Sequence, residues 1–285
     1  YCENKDSILE SFGIGEYDVL NYFALKDKSI FCFLESWIPY GWSCYFSKND
    51  IPLKKLTVVH LDDHTDLMSP YICVDENGFW LDLLTNKRVD FLCPDSVKSA
   101  VKSGAITIGS ILTMLVYFIH DVKILHLKQN IESVEYKVKR IPKEKLYLNS
   151  KYKVMDIELD NKKKLYIENN CDYLRSSNIN NIIENIPAHG DIFLHIDMDF
   201  FNNRFNGNSD YKLDTIHDPT FEEQKLVIQS FCKSISRPDI LRRIVHISIG
   251  ISPSFYPSEF WRTGINFLIS ELRNIKLDNI HHICL

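Results

Sequence analysis

No two cysteines in this 285-residue chain are spaced C-x-x-C, although there are eight: Cys2, Cys32, Cys44, Cys73, Cys93, Cys171, Cys232 and Cys284. Small, buried, reduced core residues are expected of them, with no thiolate motif to follow. No apolar run is long enough for a bilayer. The longest, Ile108 to Ile119, is interrupted and falls short of the roughly 20 residues a span needs. There is no G-x-S-x-G and no P-loop, so no activated serine or phosphate cradle is on offer. Charge of one sign is also lacking. A formal net charge of −5, with lysines and arginines scattered among acids, speaks against a nucleic-acid or anionic-membrane partner and suits a cationic substrate. No secretory signal is visible, and a reducing cytosol is the expected compartment. With no internal repeat and no linker rich in Pro, Gly or Ser, one domain over 1–285 is expected.

What is present is a series of short apolar runs: Leu56 to Leu61, Lys123 to Leu127, Ile192 to Ile196 and Ile244 to Ile249. Runs of this length suit strands buried on both faces of a parallel sheet. Helical patterns lie between them, over Ser96 to His120, Phe221 to Ser234 and Glu259 to Leu272. The second is preceded by Asp218-Pro219-Thr220 and acidic in its first turn. Strand and helix in alternation predict an α/β fold with a mainly parallel central sheet. Tyr152 to Leu159 instead alternates, turns at Asp160-Asn161 and resumes over Lys163 to Ile167, which predicts an inserted β-hairpin. Asn202 to Asp210 reads as a polar loop.

Two segments carry chemistry. His60-Leu61-Asp62-Asp63-His64-Thr65-Asp66 and His195-Ile196-Asp197-Met198-Asp199 each begin where a buried strand ends. In an open parallel sheet, ligands collect beyond the carboxyl ends of the strands. Alternate strand residues share a face, so Asp62 pairs with His64 and Asp197 with Asp199, and Asp66 can fold back towards them. Four carboxylates and an imidazole in one small volume repel one another unless a cation neutralises them. Mixed carboxylate and imidazole donors suit Mn²⁺, Fe²⁺ or Zn²⁺.

Asp62-Asp63-His64-Thr65-Asp66 resembles the D-x-H-x-D signature of arginases, agmatinases and related ureohydrolases, and Asp197-Met198-Asp199 resembles their D-x-D. Leu61 to Leu67, Ile196 to Gly207 and Ile251 to Pro257 resemble an atypical arginase-like family that includes peptide arginases of ribosomal-peptide pathways. The resemblance implies a three-layer, arginase/deacetylase-like α/β sandwich. It implies two manganese ions bridged by Asp62 and Asp197, with His64 and Asp199 on one and Asp66 on the other. The implied reaction converts arginine side chains of a precursor peptide to ornithine, releasing urea. That peptide is the expected partner, nucleic acid and membrane are not, and a homo-oligomer is allowed.

Two features depart from the family pattern. The G-G-D-H segment that supplies a further metal-binding histidine is missing, and Leu34-Glu35-Ser36-Trp37 aligns best with it, placing Trp37 at the histidine. Glu35 or His60 is then the expected substitute. On the strand His246 to Ser252, Gly250 stands where the family has a guanidinium-binding glutamate, leaving room for a bulky substrate. Glu259 is the expected replacement, and it equally suits a helix N-terminus. Glu35 and Asn202 complete the substrate-side candidates.

Asp66 is expected to orient the attacking water. His60 and His195 admit two readings, a satisfied core histidine or a group that orients a carboxylate and moves a proton. His126 and His246 read as ordinary strand residues, and no role falls to His281 or His282. Two rivals remain: a single-zinc amide hydrolase of the deacetylase type, and a non-catalytic protein stapled by metal, favoured by Trp37 and Gly250.

Overall fold

The computed structural model describes residues 9–10, 13, 15–49, 55–119, 121–129, 131–147, 150–160, 170–205 and 217–277. In chain order its strands begin with β1 (Phe23–Lys26), β2 (Ser29–Cys32), β3 (Leu56–Leu61), β4 (Ile72–Val74) and β5 (Trp80–Asp82). They continue with β6 (Asp121–Leu127), β7 (Val134–Tyr147), β8 (Ser150–Asp160), β9 (Asn170–Ser176), β10 (Asp191–Asp197) and β11 (Ile244–Gly250). The helices are α1 (Ile38–Asn49), α2 (Pro94–Ser103), α3 (Ile111–Phe118), α4 (Ile179–Glu184), α5 (Phe221–Ile235), α6 (Pro238–Leu241) and α7 (Trp261–Asn274).

All four apolar runs became central strands. They lie in one sheet of order β1-β2-β11-β10-β3-β6-β9-β7-β8-β4-β5. From β2 to β9 each neighbour pair is parallel, and antiparallel pairs extend both ends. Every residue of β3 is buried, as expected of a strand covered on both faces. One core joins Val59, Leu61, Leu194, Ile196 and Ile249 to α5 and α7. A second joins Val58, Ile124 and Phe193, from the opposite face, to α1, α2 and α3. Each fully buried aliphatic side chain contributes about 1.5–3 kcal/mol, which fixes the alternation and hence the register.

Register places chemistry in a line. His195 stands opposite His60, His60 opposite His126, and His126 opposite Arg175, all on the second-core face of the sheet. Parallel strands with aligned ends put Asp62, Asp197 and Gly250 side by side at one rim.

One expectation needs correction. The helical pattern over Ser96 to His120 is two helices: Gly104 caps α2 at φ +83°, and a Thr107–Ser110 capping box opens the turn into α3. His120 lies outside the described residues. Tyr152 to Leu159 lies within β8, as expected of a strand, and β8 pairs antiparallel with the preceding β7, from Lys137 opposite Asp160 to Tyr147 opposite Ser150. Pro142 and a run of cations in β7 mask its strand pattern, because proline is normally confined to strand edges. Residues 163–167 lie outside the described residues.

At α5 the expected cap forms reciprocally, with the Thr220 side chain accepting from the Glu223 amide and Glu223 accepting from the Thr220 amide at 2.8 Å. Of the described cysteines, Cys32, Cys73, Cys171 and Cys232 are buried and free, whereas Cys93 is exposed and Cys44 is half-buried. Among the described residues, no helix is long and apolar enough to cross a membrane.

Candidate metal centre

The turn after β3 is built by its own acids. The His64 amide donates to Asp62 Oδ1, and the Asp62 amide donates to the Leu127 carbonyl at 3.3 Å. Asp66 adopts φ +51°, a left-handed conformation that costs a non-glycine residue about 1–2 kcal/mol. Its carbonyl accepts from the Leu112 amide at 3.1 Å, which pins the turn against α3. After β10, Asp197 Oδ1 accepts from the Asp199 amide at 3.1 Å and its Oδ2 from Ser252 Oγ at 2.6 Å. Ser252 is itself at φ +51°, so a second strained residue supports the same site.

These turns bring the sequence-predicted ligands together. His64 Nδ1 lies 2.8 Å from Asp199 Oδ2 and 3.5 Å from Asp62 Oδ1. Donor atoms of Asp62, His64 and Asp199 fall within 4.8 Å of one another, and so do those of Glu35, Asp62 and Asp66. These two sets share Asp62 with a third, His60, Asp62 and His195. Asp197 is fully buried beside them and faces Asp199, Asp62 and Glu35.

Glu35 enters from the loop after β2, across Gly250. A Cβ at Gly250 would meet Glu35 Cγ at 2.6 Å, so the space expected there for a bulky substrate is filled by the Glu35 side chain. Trp37 is not in the site. Its indole nitrogen donates to the Leu20 carbonyl at 3.0 Å and its ring packs on Phe23 and Tyr40.

The electrostatics fit a small divalent cation. Burial, then the neighbouring carboxylates, pushes Glu35, Asp66 and Asp197 well above the usual carboxylate range, and Asp62 up to about 6. Burial opposes charge on His64, but the Asp199 and Asp62 carboxylates outweigh it and hold the imidazolium up to about 12. Asp62 Oδ2, His64 Nε2 and Asp66 Oδ2 are buried without a hydrogen-bond partner, and such groups require explanation. Mixed oxygen and nitrogen donors with no thiolate suit manganese, iron or zinc, and the geometry does not choose among them.

Behind the carboxylates runs a chain of imidazoles. His60 Nε2 is 3.3 Å from the His64 carbonyl, which can only accept, so that nitrogen carries hydrogen. His60 Nδ1, 2.6 Å from His195 Nδ1, then accepts, and His195 Nε2 is left bare opposite Glu35 Oε1 at 2.8 Å. With neutral imidazoles, therefore, the Glu35 carboxyl holds the proton between them. Burial, together with neighbouring histidines at His60, holds His60 well below its ordinary value and His195 down to about 3, which agrees.

His126 does more than an ordinary strand residue. Its Nε2 donates to the Asp62 carbonyl at 2.9 Å, Tyr173 Oη meets Nδ1 at 2.5 Å, and its ring lies 4.5 Å from that of His60. His246 does read as expected, packed on Phe193 and Tyr45 away from the acids.

Two substrate-side candidates are engaged by other residues. Glu259 is exposed and paired with Arg204, which is also held by Asp218 at 2.9 Å. Asn202 is fully buried and engages Asp218, the Pro219 carbonyl and the Arg204 amide, leaving no free amide group for a substrate. His281 and His282 lie outside the described residues, as does 206–210 of the polar loop. Sequence reasoning missed Ser252, His126 and Tyr173. The one sequence signal for the second of these is its place just before the last residue of an apolar run, as at His60 and His195.

A pocket of about 590 Å³ opens onto the cluster, lined by Glu35, His64 and Asp66, with Asp63, Lys128, Arg175, Phe255, Met68 and Ile108 around them. The Phe255 ring lies 4.4 Å from the His64 ring. A cavity of about 600 Å³ near Pro238 and Asn274 is lined by neither acid nor histidine. No family model matches the chain, and no match is found among curated proteins.

Proposed function

We propose that this chain is a divalent-metal hydrolase that opens the guanidinium group of an arginine side chain in a peptide, giving ornithine and urea. The observation that carries the reading is that two of the donor sets sharing Asp62 are Asp62, His64 and Asp199, and Glu35, Asp62 and Asp66. Asp197 would complete the bridge. Two manganese ions are the proposed complement, on the arginase/deacetylase-like sandwich that the paired cores support. Glu35 takes the part of the missing histidine. Bound cations would supply Lewis acidity and lower the pKa of a water.

The chain's own groups do the rest. The pocket holds the aliphatic stem of the arginine against Phe255, and Asp66 Oδ2, otherwise unpartnered, accepts from the guanidinium or orients the water. Water adds to Cζ, the Cζ–Nε bond breaks, and the amine leaves with a proton. His60 and His195 reach from Glu35 to the Asp62 edge and can carry that proton. A pocket of about 590 Å³ lies within the usual range of roughly 300–1,000 Å³ for ligand sites and accepts a residue flanking the arginine.

One observation favours a second reading. If Glu35 stays bonded to His195 at 2.8 Å, only the Asp62, His64 and Asp199 set binds a cation, and single-zinc amide hydrolysis follows. The features that favoured a non-catalytic staple no longer do so, since Trp37 is occupied elsewhere and Gly250 makes way for Glu35. The test is urea release by manganese-loaded protein given an arginine peptide and free arginine in parallel. Urea from the peptide, lost in Asp199→Ala, is expected; no urea from either substrate overturns the guanidine reading in favour of amides.

A further inference from the structure

The pocket that leads to the acids has a cation on its wall. Arg175 closes the row His195, His60, His126 and Arg175, one residue per strand across β10, β3, β6 and β9. Two strand spacings, about 10 Å, separate it from His60. It lines the pocket, its Nε is buried without a hydrogen-bond partner, and its guanidinium lies 5.9 Å from the Tyr136 ring centre. Among the described residues it makes no ion pair. The other cation on the wall, Lys128, is neutralised by Asp63 at 3.0 Å, and Asp63 is further held by Asn203 at 2.7 Å. One wall cation is satisfied and one is open to the pocket.

A free cation is a poor neighbour for a guanidinium substrate unless something anionic lies between them. Its planar fork matches a carboxylate bidentately. We infer that Arg175 is a specificity-determining residue that binds a carboxylate carried by the substrate next to its reacting side chain. Within the guanidine reading, on which this rests, the substrate is an arginine whose own α-carboxylate is free at a chain end, or one followed by an acidic residue. An interior arginine with neutral neighbours would leave Arg175 unpaired. The alternative role for Arg175, offsetting the acidic cluster from a distance, predicts no preference between acid and amide ligands.

The experiment measures binding by calorimetry to the metal-loaded protein, using short acetylated peptides with citrulline in place of arginine so that nothing is cleaved. One ends in citrulline with a free carboxylate, the second is its amide, and the third places glutamate after citrulline with an amidated end. The first or third is expected to bind about ten- to a hundredfold tighter than the amide, and which of them does so identifies the source of the carboxylate. Arg175→Met erases the difference and Arg175→Lys retains part of it, with thermal melts confirming that both variants fold. Equal binding of acid and amide, no binding of any peptide, or a preference that survives Arg175→Met overturns the inference. A carboxylate preference without urea from the arginine peptides would retain it and overturn the guanidine reading alone.

Discussion

A Cβ placed on Gly250 would stand 2.6 Å from Glu35 Cγ and 2.8 Å from Glu35 Oε1. The glycine at the end of β11 and the glutamate after β2 are therefore one feature, made possible because β2 and β11 are parallel neighbours. Glycine at this point removes a side chain from one strand so that the neighbouring strand can deliver a carboxylate. Glu35, two residues before Trp37, thus occupies the space that Gly250 leaves open.

Gly250→Ala should cost about 1–3 kcal/mol by overpacking and should drive Glu35 from the cluster. In the double variant Gly250→Ala with Glu35→Ala, most of that loss should return. Denaturant unfolding of the four proteins measures the coupling, and strictly additive losses would show that the two residues do not touch.

Asp66→Asn should stabilise the metal-free protein, because it removes a buried acid that burial and Asp62 already hold far from its ordinary ionisation. The same change should shrink the stabilisation by manganese, which for one site at a hundred times Kd is about 2.7 kcal/mol. Thermal melts with and without manganese decide the matter. An Asp66→Asn protein that gains as much from metal as wild type would remove Asp66 from the ligands.

His246 gives a pH dependence apart from the acidic cluster. Burial holds its pKa down to about 3 in the folded chain, against about 6.5 unfolded. The unfolded state therefore binds the extra proton first, and stability falls as pH drops below about 6.5 towards 3. Between pH 6 and pH 4 this one group should contribute up to about 1.4 kcal/mol per pH unit. Stability curves for wild type and His246→Phe should differ in slope by that amount; parallel curves would mean the folded imidazole takes up its proton normally.

Glu259→Gln should leave turnover within about twofold of wild type, because the carboxylate is engaged by Arg204 at the surface and surface changes are usually small. A loss of a hundredfold would return Glu259 to the substrate site.

Much of the frame was legible in the residues. The apolar runs ending in His60 to Asp66 and His195 to Asp199 announced buried strands with acids at their carboxyl ends, and the structure places them as neighbours. What periodicity does not reveal is which strands lie side by side. Glu35 reaches the cluster only because β2 joins the sheet next to β11, and His126 supports Asp62 only because β6 flanks β3. Ser252 was unreadable for a different reason, since its hydroxyl meets Asp197 only through a left-handed turn that no propensity favours in serine. Glu259 and Asn202 looked available in sequence because nothing there showed that Arg204 and Asp218 would engage them.

The most direct test of the two-cation centre is the number of manganese ions bound per chain, measured by elemental analysis after gel filtration, in wild type, Glu35→Ala and Asp62→Ala. Two ions in wild type, one in Glu35→Ala and none in Asp62→Ala would match ligand sets that share Asp62. One ion in wild type, unchanged in Glu35→Ala, would contradict the binuclear centre and leave the single-metal hydrolase in its place.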